Sequence, residues 1–330
     1  MEDETACQYV SSRGLMKSCD VRPPLPSSST RVCYDAPWSS LTPGTIVYVN
    51  SSAIPDFYRR FWPLVRVPIV LVSGDCDETV PIDLFREEDL KTFLADERLI
   101  TWFAQNAVPL DPKLRQIPIG LDYHTLSVNE KHPWGPKQTA VQQERILDLL
   151  KARKSFLERK PTAHANFQFS MRTRYALDRL EALKELPRSL VAYEQAPTSR
   201  FVTWANQIGH RFVVSPQGGG VDCHRTWEAL CLGCIPIVKT SFLDPLFEGL
   251  PVLIVKTWSS VTEELLAATA AATAAATATR PSPSPKLLLS YWVQTIRAAA
   301  TAAIEAMGQS IVDAATTDAH PATLPGGTAE

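Results

Sequence analysis

The residues best suited to chemistry lie within residues 211–238, which read RFVVSPQGGGVDCHRTWEALCLGCIPIV. A short apolar run at 212–214 predicts a buried strand, and a helix is expected over about 223–232. Asp222 is the predicted N-cap of that helix, and Gly233 is its left-handed stop. Three consecutive glycines between strand and helix permit positive φ and leave no side chain to block a ligand: Gly218, Gly219 and Gly220.

The predicted helix carries a group of charged side chains at its beginning. Free N–H groups and the positive end of the helix dipole favour an anion such as a phosphate. Arg225 adds a guanidinium with forked donors, and His224 adds a further donor beside it. Glu228 lies one turn from His224 on the same face, where a carboxylate can accept both hydroxyls of a ribose. The segment therefore predicts a site for a nucleotide diphosphate.

Two common phosphate-binding motifs do not fit this segment. Dinucleotide-binding folds use G-x-G-x-x-G, but position 223 is Cys, and no G-K-[ST] of a P-loop follows the glycines. Oxidoreductase and NTPase functions are therefore disfavoured. Cys231 and Cys234 form a C-x-x-C pair at the end of the apolar helix, and we interpret them as two small buried hydrophobes. The seven cysteines are expected to be reduced.

The same residues resemble the donor-binding segment of exostosin-type glycosyltransferases. In that family a Pro-x-Gly-rich loop leads into a helix with Arg and Glu, followed by Gly-Cys-Ile-Pro. The resemblance covers roughly residues 200–265, and residues 165–265 are similar to uncharacterised exostosin-like proteins of algae and large viruses. It implies two Rossmann-like domains facing a cleft, a GT-B-like arrangement, with the nucleotide sugar on the C-terminal domain. The residues that carry it are Pro216, Gly218, Gly220, Arg225, Glu228, Gly233, Cys234, Ile235 and Pro236.

The resemblance also implies roles for individual residues. Glu228 would bind the ribose of the donor, and Arg225 with the amides of the glycine loop would bind its diphosphate. Arg172 or Arg174 would add positive charge from the opposite loop. No metal and no cofactor are expected, since the helix dipole and the cations offset the charge of the leaving diphosphate. The nucleotide-diphosphate sugar is then the donor substrate.

Two loops of the N-terminal half are candidates for the base that deprotonates an acceptor hydroxyl. One carries Asp75 and Asp77 after a buried strand, and the other carries Asp122 and His124. Both would lie at the carboxyl edge of a parallel sheet, where ligands usually bind. Residues 68–83 also match the acid-bearing loop of α/β-hydrolases, but the G-x-S-x-G motif that should precede it is missing. The sequence leaves open which candidate is the base and whether transfer is inverting or retaining.

Short apolar runs alternate with longer periodic segments, which is typical of βαβ units and an α/β fold with parallel sheets. We predict a disordered arm over 1–30, an N-terminal acceptor-side domain over 31–160 and a C-terminal nucleotide-sugar domain over 161–265. Residues 266–330 predict an Ala/Thr/Pro-rich low-complexity tail with one helix at 286–307. Predicted strands cover residues 45–49, 69–72, 99–102, 116–119, 165–169, 212–214, 235–238 and 252–255, and a helix is predicted over 138–160.

Composition restricts the partners. The chain has 330 residues, with 33 Lys+Arg against 35 Asp+Glu, so no basic excess indicates a nucleic acid or an anionic membrane. Its longest apolar runs, 67–72 and 251–255, are far shorter than the roughly 20 residues of a spanning helix. Residues 1–20 show no signal-peptide pattern. We expect a soluble chain of unknown compartment, and the resemblance implies the Golgi or secretory pathway if an anchor is missing.

These observations lead to two hypotheses of different class. The first is a glycosyltransferase that moves a sugar from a nucleotide diphosphate to a carbohydrate hydroxyl. The second is a non-catalytic nucleotide- or sugar-binding protein that has kept the glycine loop and lost its base.

Overall fold

The computed structural model describes residues 4–167, 172–194, 196–277 and 283–317. Two parallel sheets form the centre of the protein, one in each half of the sequence. The predicted α/β fold class with two parallel sheets is thereby confirmed. The chain passes from the first sheet to the second across a helix that ends at Ala152 and a strand that begins at Lys160.

The first sheet has the strand order β1-β2-β3-β4, and each neighbouring pair is parallel. Its first strand alternates between two hydrophobic clusters, with Ile46 and Tyr48 in one and Val47 and Val49 in the other. Because both faces are covered, the strand reads as a continuous apolar run. The strands are β1 Ile46–Asn50, β2 Ile69–Gly74, β3 Leu99–Ala104 and β4 Leu114–Gln116.

The second sheet has the order β6-β5-β7-β8-β9, again with all neighbouring pairs parallel. Its centre is the buried strand that leads into the glycine loop, so that loop lies at the carboxyl edge of the sheet. The strands are β5 Lys160–Ala165, β6 Val191–Tyr193, β7 His210–Val214, β8 Ile235–Lys239 and β9 Leu253–Val255.

Ten α-helices are found in the described part of the chain, several of them connecting successive parallel strands. Those that matter for the site begin at the carboxyl edge of a sheet. The helices are α1 Ser12–Lys17, α2 Ile54–Arg60, α3 Glu87–Ala95, α4 His124–Val128, α5 Thr139–Ala152, α6 Ala176–Glu185, α7 Arg200–Gln207, α8 His224–Cys231, α9 Glu263–Thr277 and α10 Leu289–Thr317.

The predicted disordered arm over residues 1–30 is wrong for the described residues 4–19. Tyr9, Val10 and Leu15 are buried in the same cluster as one face of the first sheet. Ser11 caps α1, its Oγ accepting a hydrogen bond from the amide of Gly14 at 3.0 Å. The short segment has too little apolar surface to order by itself, but tertiary partners on both sides bury it.

The C-terminal segment returns to the N-terminal half of the protein. Helix α10 contacts α1 and strands β1, β2 and β3, and its Trp292 and Ile296 are buried there. The predicted tail therefore contributes to the core over the described part of α10. Helix α9 packs on the second sheet through Leu266 and Ala270.

Candidate active site between the two sheets

Loops at the carboxyl edges of the two sheets meet directly. Asp222, which follows β7, accepts hydrogen bonds from the amide of Ile119 at 2.7 Å and from Nε1 of Trp227 at 2.8 Å. Its own amide donates to Oδ1 of Asn106 at 2.8 Å. Burial raises the pKa of Asp222 to about 6. The prediction of Asp222 as N-cap is wrong, because Cys223 holds that position and Asp222 joins the two halves of the protein instead.

The glycine loop is packed against the N-terminal half. None of its three glycines has a left-handed φ, so their role is close approach and not turn geometry. A Cβ on Gly219 would collide with the carboxylate of Asp77, and one on Gly220 would lie 2.7 Å from Nδ2 of Asn106. A Cβ on Gly218 would collide with Arg179. Protein side chains thus lie against the glycines at the place where the sequence predicts a bound ligand.

The side chain of Asp77 lies at the glycine loop, where the sequence predicts that a donor diphosphate binds. Its carboxylate is hydrogen-bonded by the backbone of Gly220. Burial raises the pKa of Asp77, and that hydrogen bond together with His224 and Arg179 opposes the rise. The carboxylate of Asp77 therefore contacts the glycine loop at the position where the sequence predicts a diphosphate.

Three of the predicted base candidates come together near the beginning of α4. Nδ1 of His124 lies 3.2 Å from Oδ1 of Asp122, and its Nε2 lies 4.0 Å from Oδ1 of Asp75. The ring of His224 is 6.1 Å away, centroid to centroid, and its Nδ1 lies 2.7 Å from the carbonyl oxygen of Gly120. Asp75, Asp122, His124 and His224, which come from three separate segments of the sequence, therefore form one cluster.

Arg200 connects this cluster to α8, and sequence reasoning missed it. Its Nη2 lies 2.7 Å from Oδ2 of Asp122, and its Nε lies 3.8 Å from Oε1 of Glu228. Burial lowers the pKa of Arg200, but Glu228 and Asp122 outweigh it and raise that pKa overall. Burial alone would raise the pKa of Asp122, yet His224, His124 and Arg200 hold it far below its usual range. Glu228 thus faces a largely buried guanidinium of its own half, which in turn pairs with Asp122 of the N-terminal half.

Asp75 is enclosed by the N-terminal segment. Nε of Arg13 lies 3.7 Å from its Oδ2, and Oγ of Ser28 donates to its Oδ1 at 2.9 Å. Burial raises the pKa of Asp75, while Arg13 and Ser28 oppose the shift. A carboxyl with a raised pKa is a better proton acceptor near neutral pH than an exposed aspartate. Arg13 was assigned to the disordered arm by the sequence and is a second residue that sequence reasoning missed.

The remaining predicted cations lie apart from this cluster. Nη1 of Arg225 donates to the carbonyl oxygen of Pro216 at 3.1 Å, and its guanidinium lies 5.7 Å from the ring centroid of Phe167. Arg225 therefore supports the backbone that precedes the glycines. Arg174 forms an ion pair with Asp83 at an exposed position, and Arg172 is exposed.

We expect stability to fall as the pH decreases from about 6.5 toward 3, partly because of His124. Burial lowers the pKa of folded His124 to about 3, with Asp122 opposing, whereas the unfolded side chain titrates near 6.5. Between these values the unfolded state binds the extra proton, so His124 costs up to about 1.4 kcal/mol of stability for each pH unit lost. Urea unfolding of wild type and His124→Gln from pH 7 to pH 4 measures the difference in slope.

His132→Gln is the matched control, because His132 lies on a loop and contacts only Trp134 among the aromatic rings described. His164, whose pKa burial lowers to about 4, titrates in the same range in every variant, so only the difference between slopes is diagnostic. Equal slopes for wild type and His124→Gln would contradict the assignment.

Metal and membrane sites were sought among the described residues. Within those ranges, no group of three or more His, Cys, Asp or Glu side chains is arranged to hold a metal ion. No helix in the described part of the chain is long and apolar enough to span a membrane. All seven cysteines are free, and Cys231 and Cys234 are buried as predicted.

The chain thus has an α/β fold in which two parallel sheets meet at a buried cluster of acids, histidines and arginines. The sequence matches no protein-family profile and no curated protein. Among solved structures it is similar to the α,α-trehalose 6-phosphate synthase of Burkholderia multivorans, with 11% identity over 81% of this chain and 69% of that chain and a TM-score of 0.35. A UDP-forming α,α-trehalose-phosphate synthase of Burkholderia xenovorans shares 11% identity over 80% and 70%, with a TM-score of 0.36. A trehalose-6-phosphate structure from E. coli, bound with UDP-2-fluoro glucose, shares 10% over 80% and 70%, with a TM-score of 0.33.

Proposed function

We propose that the chain is a glycosyltransferase of the exostosin-like type, which moves a sugar from a nucleotide-diphosphate donor to a carbohydrate hydroxyl. The convergence of Asp75, Asp122, His124, Arg200 and Glu228 where the two sheets meet carries this proposal. An inverting glycosyl transfer needs a base for the acceptor hydroxyl, and cations stabilise the leaving diphosphate. Carboxylates, an imidazole and a guanidinium lie together in the cluster, which supports the proposal.

The donor would bind on the C-terminal half, as the resemblance implies. Glu228 would accept the hydroxyls of the ribose, and the amides of the glycine loop, supported by Arg225, would hold the diphosphate. In the present arrangement Arg200 connects Glu228 to Asp122 of the N-terminal half, and the carboxylate of Asp77 is hydrogen-bonded by the backbone of Gly220. Donor binding therefore requires the two halves to separate at this interface, exchanging protein contacts for contacts with the donor.

The acceptor hydroxyl would transfer its proton to a carboxylate of the N-terminal half. Asp75 is the strongest candidate, because burial raises its pKa and because it already accepts a hydroxyl hydrogen bond from Ser28. Nε2 of His124 lies 4.0 Å from Oδ1 of Asp75, and Asp122, 3.2 Å from Nδ1 of the same ring, would orient the imidazole. The acceptor oxygen would then attack the anomeric carbon as the diphosphate leaves.

Calorimetry with UDP, GDP and ADP tests the donor site. We expect one of them to bind, and Glu228→Gln or Arg225→Ala to weaken its binding about ten- to hundredfold, the effect of losing a hydrogen bond to a charged group. Arg86→Ala, which removes an exposed guanidinium at the start of α3, is the control and should leave Kd unchanged. The proposal fails if wild type binds none of the nucleotides, or if both site variants bind as tightly as wild type.

A second candidate is a non-catalytic nucleotide- or sugar-binding protein, and the close packing of the glycine loop favours it. Gly219 and Gly220 contact Asp77 and Asn106 so tightly that the interface itself could be their function. Nucleotide binding without hydrolysis or transfer of any nucleotide sugar would support this alternative over the transferase.

A further inference from the structure

A Pro- and Ser-rich segment, residues 22–32, crosses the carboxyl ends of β1 and β2; we call it the strap. Its side chains are mostly exposed, including Leu25 and Val32. Two hydrogen bonds join the middle of the strap to the ends of these strands: the amide of Ser29 donates to the carbonyl oxygen of Asp75 at 3.0 Å, and Nδ2 of Asn50 donates to that of Ser27 at 3.2 Å. The middle of the strap is thereby held beside Asp75.

One hydroxyl of the strap is held as an acceptor hydroxyl would be. Oγ of Ser28 lies 2.9 Å from Oδ1 of Asp75, within the reach required of a general base. Nη2 of Arg13 donates to the same Oγ at 3.3 Å, so the lone pairs of the hydroxyl are oriented while its proton points to the carboxylate. Ser28 itself remains exposed to solvent, so its oxygen is accessible from outside the fold.

The backbone around this contact is unusual on both sides. Ser29 has φ +55° and Asp75 has φ +57°, a region that residues other than glycine rarely adopt. A cavity of about 110 Å³ lies behind the strap and is lined in part by Ser27, Thr30, Asn50 and Asp75. Two left-handed residues joined by a hydrogen bond next to a polar cavity are typical of a functional loop rather than a surface linker.

We propose that the protein glycosylates its own strap at Ser28, and that serine hydroxyls in Pro/Ser-rich segments are a second class of acceptor for it. The proposal rests on the glycosyltransferase function proposed above. In the step, Oγ of Ser28 forms a bond to the anomeric carbon of a nucleotide-diphosphate sugar, and the bond from that carbon to the diphosphate breaks. The proton of the hydroxyl passes to the carboxylate of Asp75, and the nucleoside diphosphate leaves with the electron pair.

The composition of the strap agrees with this acceptor class. Residues 23–30 read PPLPSSST, and segments rich in Ser, Thr and Pro are typical O-glycosylation substrates. Such a segment is extended and lacks competing backbone structure, so a single hydroxyl can enter a cleft while the flanking prolines restrict the chain.

The test incubates the full chain separately with UDP-glucose, UDP-galactose, UDP-N-acetylglucosamine and GDP-mannose, followed by intact-mass analysis and peptide mapping. We expect wild type to gain one sugar residue at Ser28 with at least one donor. Ser28→Ala and Asp75→Asn should lose the added mass completely, whereas Ser28→Thr, which keeps a hydroxyl, should retain it. Ser39→Ala removes an exposed serine outside the strap and should be modified like wild type.

A peptide covering residues 21–34, added to the Ser28→Ala protein, tests the same acceptor in trans and is expected to receive the sugar. Donor turnover, measured as nucleoside diphosphate released, separates the two proposals. Release without sugar on Ser28 of wild type, or sugar on a different serine, would overturn the self-glycosylation while the transferase function stands. Absence of both donor binding and release would overturn both.

Discussion

Arg200→Ala is expected to lower the free energy of unfolding by about 3–5 kcal/mol, the cost of breaking a buried ion pair by removing one partner. The guanidinium lies between Asp122 and Glu228, whose side chains are 10% and 9% exposed. Without it, two carboxylates from opposite halves of the protein face each other with little water to screen them. Urea unfolding at pH 7 measures the loss.

Arg174→Ala is the matched control for this change. Arg174 also pairs with an aspartate of the other half, Asp83, but its side chain is 49% exposed. Exposed pairs contribute only about 0–1 kcal/mol, so the control should lose little. Similar losses for the two variants would show that burial at Arg200 does not have the electrostatic consequence assigned to it.

Asp77→Ala is expected to tighten binding of the nucleotide found by calorimetry about ten- to hundredfold. The carboxylate of Asp77 is bound by the backbone of Gly220, the group proposed to hold the donor diphosphate. Removing it abolishes a competing charge-assisted hydrogen bond of about 1.5–3 kcal/mol, and each 1.4 kcal/mol corresponds to a factor of ten in Kd. Calorimetric titration of wild type and variant measures the ratio.

Asp83→Ala controls for a general loosening of the interface, because it breaks the Arg174 pair without touching the glycine loop. If the loop is the anion site, only Asp77→Ala gains affinity. An equal gain in both variants would mean that separation of the halves, and not release of the loop, limits binding. Unchanged or weaker binding in Asp77→Ala would remove the glycine loop from the donor site.

The pattern of apolar residues located most strands of the two sheets. Strands were predicted at 45–49, 69–72, 212–214 and 235–238, and the observed strands overlap each of them, because their apolar runs are buried on both faces. Gly233, with φ +70°, is the predicted left-handed stop after α8. These features depend on residues close together in the sequence, so the composition and spacing of those residues are enough to predict them.

Other boundaries were misplaced. The strand predicted at 116–119 lies at Leu114–Gln116. The one predicted at 165–169 shares only Ala165 with the observed β5 and falls partly outside the described residues. Strand β6, Val191–Tyr193, was missed because three residues are too few to show an alternation of apolar and polar side chains. The helix predicted over 138–160 ends at Ala152. A short strand is defined by its pairing with neighbouring strands, and those strands are distant in the sequence.

The candidate site likewise has some features that the local sequence predicts and others that it does not. The sequence by itself determined which chemical groups are available at the carboxyl edges of the sheets, since Asp75, Asp122 and His124 lie next to predicted strands and Glu228 lies in the predicted helix. Only the tertiary structure decided which group each one meets. Arg200 pairs with Asp122 across 78 residues, and Ser28 bonds to Asp75 across 47. A charge acquires its partner, its burial and its pKa from residues distant in sequence, and so no local motif could have assigned them.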